Sequence, residues 1–201
     1  LLPFVLATLL LSMTMTFRIS FVMTQTTYVC VINPATGDGN FIYNTTAPPP
    51  SGEIVVNITV TDVQNLAGWQ VNLTYDPTLL NTAVADVYLP ADHVFNGLDP
   101  TGPTPTVDNV EGYVFWSRAV GPGSPYPSFN GSGTLMCVNF TVIKVPTYLE
   151  PLLTCNLVTD KESEYPTMLV DPEGEEIPFI ELDGYYEYRY IPPLCCLLWL
   201  E

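Results

Sequence analysis

Between Gly52 and Val63 the chain reads GEIVVNITVTDV, and this alternation constrains the fold more than any other feature of the sequence. In an extended strand Ile54, Val56, Ile58 and Val60 share one face, while Asn57, Thr59 and Thr61 share the other. The plan recurs in NLAGWQVNLTYDPTLL (Asn65 to Leu80), with Trp69, Val71, Leu73 and Tyr75 opposite Gln70, Asn72 and Thr74. Leu135 to Val142 repeats it, placing Met136, Val138, Phe140 and Val142 opposite Asn139. Such one-sided strands need a second layer over their apolar face. Twenty prolines in 201 residues argue against helices as that layer, since each breaks or kinks a helix interior.

Further strands are predicted over Val110–Val120, Leu152–Val158, Tyr165–Val170, Glu176–Leu182 and Tyr185–Ile191. Asp171-Pro-Glu-Gly174 reads as a turn, and Asp183-Gly184 as a hairpin or tight turn. Asp76-Pro77 ends its strand with one helical turn. The expected fold is all-β: a jelly-roll β-sandwich of about eight or nine antiparallel strands with apolar terminal extensions. One hydrophobic core accounts for the length, so the parse is an apolar segment (1–29), a sandwich domain (30–191) and an apolar tail (192–201).

Five N-x-[ST] triplets stand at Asn44, Asn57, Asn72, Asn130 and Asn139. Asn57, Asn72 and Asn139 fall on the polar faces of their strands, where a glycan would reach solvent; a packed core could not hold one. The formal charge of −16 repels a phosphate backbone and excludes nucleic acid as a partner. Ten carboxylates lie between Asp160 and Glu187, whereas the middle of the chain is sparsely charged. Glycans would keep such a surface soluble, and they place the chain outside the cell or on its surface.

The ends are unusual. LLPFVLATLLLSMTMTF, at the N-terminus, fits three roles: a secretory signal, a membrane or assembly-buried helix, or a strand donated to a neighbouring copy. As a lone transmembrane span it is marginal, because Arg18 interrupts it. The C-terminal IPPLCCLLWLE is too short to cross a bilayer; it reads as a self-association patch, a terminal strand or part of an anchor. Outside the cell, Cys137 and Cys155 are candidates for a disulfide, and the odd count of five cysteines leaves one unpaired.

No enzyme is expected, because His93, the only histidine, has no Ser or Cys motif to serve. No cofactor is expected, although Gly37–Asn40 and Asp171–Glu176 offer oxygens to a structural calcium. Trp116, Tyr186, Tyr188 and Tyr190 are candidate aromatic platforms for a glycan or protein, while Trp69, with Gly68 beside it, reads as a core ring.

The order of features resembles the cohesin domain family. The run from Val60-Thr61-Asp62-Val63 into Asn65-Leu-Ala-Gly-Trp-Gln-Val-Asn-Leu-Thr-Tyr-Asp-Pro77 carries the resemblance, with Gly131-Ser-Gly-Thr-Leu135 and Val138-Asn-Phe-Thr-Val142 after it, and Asp183-Gly184-Tyr185 closing it. It looks most like the cohesin-like modules of archaeal surface proteins and covers about residues 30 to 190. The resemblance implies a non-catalytic sandwich, related to carbohydrate-binding modules, whose relatives bind dockerins. Joined to the apolar ends and the sequons, it suggests a glycosylated filament or pilus-like subunit that polymerises with copies of itself. The alternative is an adhesion or scaffolding module that binds a dockerin-like protein or a carbohydrate. A membrane would be touched only through the N-terminal segment, if that segment stays uncleaved.

Overall fold

The computed structural model describes residues 25–121 and 127–193; the expected roles of residues 1–23, Cys195, Cys196 and Trp199 lie outside the described residues. Thirteen strands form within them: β1 (Thr27–Ile32), β2 (Asn40–Asn44), β3 (Glu53–Leu66), β4 (Gly68–Thr74), β5 (Leu80–Asn81), β6 (Val87–Tyr88), β7 (Thr106–Asp108), β8 (Tyr113–Ala119), β9 (Phe129–Val142), β10 (Leu152–Thr159), β11 (Met168–Val170), β12 (Phe179–Leu182) and β13 (Gly184–Arg189).

They make two layers. The first sheet has the order β12-β1-β3-β9-β5, with β6 also on β9; the second has β2-β13-β10-β4-β8-β7, with β11 also on β4. The expected β-sandwich is therefore present, with more and shorter strands than the alternation alone marks. Nor are the strands uniformly antiparallel, since β1 pairs with β12, and β13 with β2, in parallel.

The alternation sets the core. Ile54, Val56, Ile58 and Val60 of β3 and Met136, Val138 and Phe140 of β9 point inward from the first sheet. Trp69, Val71 and Leu73 of β4, Val114 and Trp116 of β8, and Tyr186 and Tyr188 of β13 meet them from the second. Two ring contacts fix the packing: Trp69 stands edge-on to Trp116 at 5.8 Å between centroids, and Tyr75 to Phe140 at 4.7 Å. Each such pair adds about 0.5–1.5 kcal/mol beyond the area it buries. The Tyr75 hydroxyl donates to Asn109 Oδ1 at 2.7 Å, and burial pushes its pKa up to about 12.

Three sequence expectations are corrected. The sandwich starts at Thr27 instead of residue 30, because Thr27, Tyr28 and Val29 already pair with β12. Asp183-Gly184 is not a hairpin; there the chain crosses from β12 in the first sheet to β13 in the second. Gly184 permits the crossing, since a Cβ there would sit 2.6 Å from Val31 Cγ1. β2 and β7, both edge strands, carried no alternation long enough to be read. The turn at Asp76 is as expected, with the Leu79 and Leu80 N–H groups donating to the Asp76 carbonyl.

Gly112 packs the turn before β8 against the exit of β4. Its φ is +76°, its carbonyl accepts the Tyr75 N–H, and a Cβ there would lie 2.6 Å from Pro77 Cδ. Gly174 has a similar φ of +84° but open space around it. Gly112→Ala should therefore cost about 2–4 kcal/mol and Gly174→Ala about 1 kcal/mol, read as urea midpoints at constant m. Equal losses would show that steric approach at Gly112 adds nothing to the backbone term.

Candidate binding surfaces and glycosylation sites

Which face a ring points to decides what it can bind. Trp116, Tyr186 and Tyr188 are each no more than 4% exposed, so three of the four rings singled out as platforms belong to the core. The Trp116 indole N–H donates to the Pro103 carbonyl at 2.8 Å, and its ring face is covered by the Arg118 guanidinium. Tyr186 packs against Tyr43, and burial raises its pKa well above the usual phenol range. Only Tyr190 is partly exposed, and its N–H is held by the Pro151 carbonyl.

The opposite phase of β8 supplies two half-buried, outward-facing rings. Phe115 and Tyr113 point out of the second sheet, and Tyr165, half exposed, comes over from the β10–β11 connection to lie 5.3 Å from Phe115 between ring centroids. With Thr106 of β7 these rings line a hollow of about 210 Å³. The signal for this ledge was the phase of Tyr113 and Phe115 relative to Trp116. Tyr165 was missed because no sequence rule places a loop ring fifty residues away.

The five sequons differ in what their side chains already do. Asn130 is exposed, and its Oδ1 accepts the Asn65 N–H at 2.8 Å, which leaves Nδ2, the atom a glycan would take, without a partner among the described residues. Asn44 Oδ1 caps its own turn, accepting from Thr46 N–H, Thr46 Oγ1 and Ala47 N–H. Asn57 and Asn139 both lie on the outer face of the first sheet; Asn57 Oδ1 accepts from the Cys137 thiol. Because Asn57 pairs with Cys137 and Val55 with Asn139, the two asparagines are diagonal neighbours, about 7–8 Å apart, and two glycans there would crowd each other.

Asn72 overturns the expectation placed on it. It does point away from the core, but residues 160–167 fold over β4 and bury it to 5% exposure. Its Nδ2 donates to Ser163 Oγ at 2.9 Å, its N–H to Thr167 Oγ1 at 3.1 Å, and its carbonyl accepts the Asp160 N–H at 2.9 Å. Gln70 Nε2, one pleat away, holds the Pro166 carbonyl at 2.7 Å. A polar face and a wet face are different things here.

Neither the protein-family models nor the curated proteins contain a match to this sequence. Solved structures do match. A non-cellulosomal cohesin from the hyperthermophilic archaeon Archaeoglobus fulgidus aligns at TM-score 0.54 and 13% identity over 87% of this chain and 97% of its own. The second type II cohesin of the ScaA scaffoldin of Acetivibrio cellulolyticus gives 0.59 and 21% over 81% and 91%. The Coh-OlpC–Doc435 complex, a type I cohesin–dockerin complex from Clostridium thermocellum, gives 0.61 and 8% over 83% and 95%. The sandwich has the cohesin fold.

Within this cohesin-like sandwich the expected disulfide is absent. Cys137 and Cys155 are free thiols: Cys137 lies on the outer face of the first sheet beside Tyr88, and Cys155 on the inner face of the second. Burial, with the Asp92 charge adding to it, pushes the Cys137 thiol up to about 11, so it stays protonated and unreactive at neutral pH. His93 accepts the Phe95 N–H on Nδ1 and serves its own loop. Both oxygen-rich turns use their carboxylates internally: Asp38 Oδ1 accepts from Thr36 and Asn40, and Asp171 Oδ1 from the N–H groups of Glu173 and Glu175.

Glycopeptide mass spectrometry of the chain expressed through a glycosylating secretory host should find Asn72 unmodified while Asn130 carries glycan. A glycan on Asn72 of folded material would mean that residues 160–167 do not close over β4.

Proposed function

We propose that the chain is a non-catalytic, glycosylated module of the cell exterior that works by holding a protein partner against the outer face of its second sheet. The carrying observation is the ledge of Tyr113, Phe115 and Tyr165. Tyr113 and Phe115 are rings with small rotameric freedom, set on a sheet whose other side is fixed in the core, and Tyr165 packs on them from the segment that covers β4, so little entropy is lost when a partner covers them. Solved sandwiches of this fold are described as cohesins in complex with dockerins, which supports a protein partner for this one. Asn130 and Asn44, with Asn57 or Asn139, supply glycan positions away from the ledge.

A filament subunit is the second reading, favoured by where the chain enters and leaves. Tyr190 and Ile191 are strapped beside the start of β10, through Pro151 and Thr45, whereas Thr27 pairs with Phe179, which Lys161 contacts just beyond the end of β10. The two termini thus leave opposite ends of the sandwich, about 25 Å apart for an eight-residue strand. That arrangement suits head-to-tail stacking.

Photo-cross-linking separates the readings. With benzoylphenylalanine in place of Tyr165, irradiation of intact producing cells should yield a covalent adduct to a different polypeptide, and Phe115→Ser should reduce its yield at least several-fold. Adducts only to further copies of the chain would favour the filament, and absence of any protein adduct would contradict both.

A further inference from the structure

The connection from β9 to β10, residues 143–151, crosses between the sheets at the end where the chain leaves the domain. Its tip is a closed turn: Thr147 and Glu150 exchange both backbone hydrogen bonds, at 3.0 and 3.2 Å, and Pro146 is buried beneath it. The turn holds out Tyr148 and Leu149, which are 80% and 91% exposed, with Val145 at 57% beside them. Leu149 is the most exposed large apolar side chain among the described residues. The only charges on the loop neutralise each other, since Lys144 Nζ meets Glu150 Oε1 at 2.6 Å. Pro151 at its foot accepts the Tyr190 N–H, so the chain passes this loop as it runs on to the apolar residues LCCLLWLE (194–201).

A rigid, locally neutral turn that displays one amphipathic ring and one leucine has the make-up of an interfacial anchor. The ring suits the headgroup level and the leucine the acyl boundary. We propose that the 147–150 turn dips into the surface of a zwitterionic bilayer. A second copy of the chain is a poorer occupant: two projecting side chains offer far less than the roughly 800 Å² per partner of a stable interface. Each copy also carries a formal charge of −16, which opposes self-association. The same charge disfavours anionic lipid, so neutral headgroups are specified.

The test is hydrogen–deuterium exchange of the full chain with and without phosphatidylcholine vesicles. Amides of residues 145–150 should exchange several-fold more slowly with these vesicles and less so with vesicles rich in phosphatidylserine, while residues 160–167, at the far end, should not change. The double substitution Tyr148→Ser, Leu149→Ser should weaken partitioning at least tenfold with an unaltered urea midpoint. Three results would overturn the proposal: no vesicle binding; binding with unchanged exchange at 145–150, which would leave the terminal segments alone as anchors; or protection of 145–150 without lipid that rises with protein concentration, which would assign the tip to a second copy.

Discussion

Ten registered positions join β3 to β9, and the first sheet is assembled outward from that pair, with β1 on β3 and β5 and β6 on β9. Both strands are fourteen residues long, and the register shifts between Ile58 and Thr59, and again on either side of Val63. These shifts bend the strands over the second sheet. They also strand backbone donors, at Asp62 and Asn65, both at positive φ. β9 itself supplies the acceptors: Ser132 Oγ takes the Asp62 N–H and Asn130 Oδ1 the Asn65 N–H. Asn130 is thus a structural acceptor through Oδ1, and a glycan there, as proposed above, would use the other side-chain atom.

The inner half of the sandwich was legible because period-two alternation is a local signal: β3, β4 and the second half of β9 were read with the correct face inward. Where both phases of a strand are apolar, as in Tyr113–Trp116, alternation cannot say which phase is buried; in Tyr185–Arg189 the charged Glu187 and Arg189 share the phase of Tyr185, so the alternation itself already pointed Tyr186 and Tyr188 inward. The rings picked as platforms, Trp116, Tyr186 and Tyr188, were the buried ones, and the outward phase held Tyr113 and Phe115, both half-buried, and Tyr185, which is exposed. Asn72 failed for a non-local reason: the segment that covers it lies some ninety residues further on and is drawn there by Thr167 and Ser163. β1 was hidden because TYVCVI is a near-continuous apolar run with no alternation to read.

The surface that remains is divided. Asn57 and Asn139 lie on the outer face of the first sheet, the Tyr113–Phe115–Tyr165 ledge lies on the outer face of the second, and the Tyr148–Leu149 turn lies at the end where the chain leaves. Glycans on the first sheet would therefore shield one broad face without obstructing the ledge or the turn. The uneven placement of carboxylates fits this division, because Asp160, Glu162 and Glu164 belong to the segment that covers β4 and not to the turn at the opposite end.

The account turns on Trp69 of β4, Trp116 of β8, and Tyr186 and Tyr188 of β13 being structural, which leaves the opposite phase of β8 to the ledge. Tryptophan fluorescence tests this directly. In a Trp199→Phe chain only Trp69 and Trp116 emit, and both are almost fully buried. Blue-shifted emission that acrylamide barely quenches is predicted, lost only at the urea midpoint. Red-shifted, readily quenched emission from the folded chain would put Trp116 back on the surface and contradict the account.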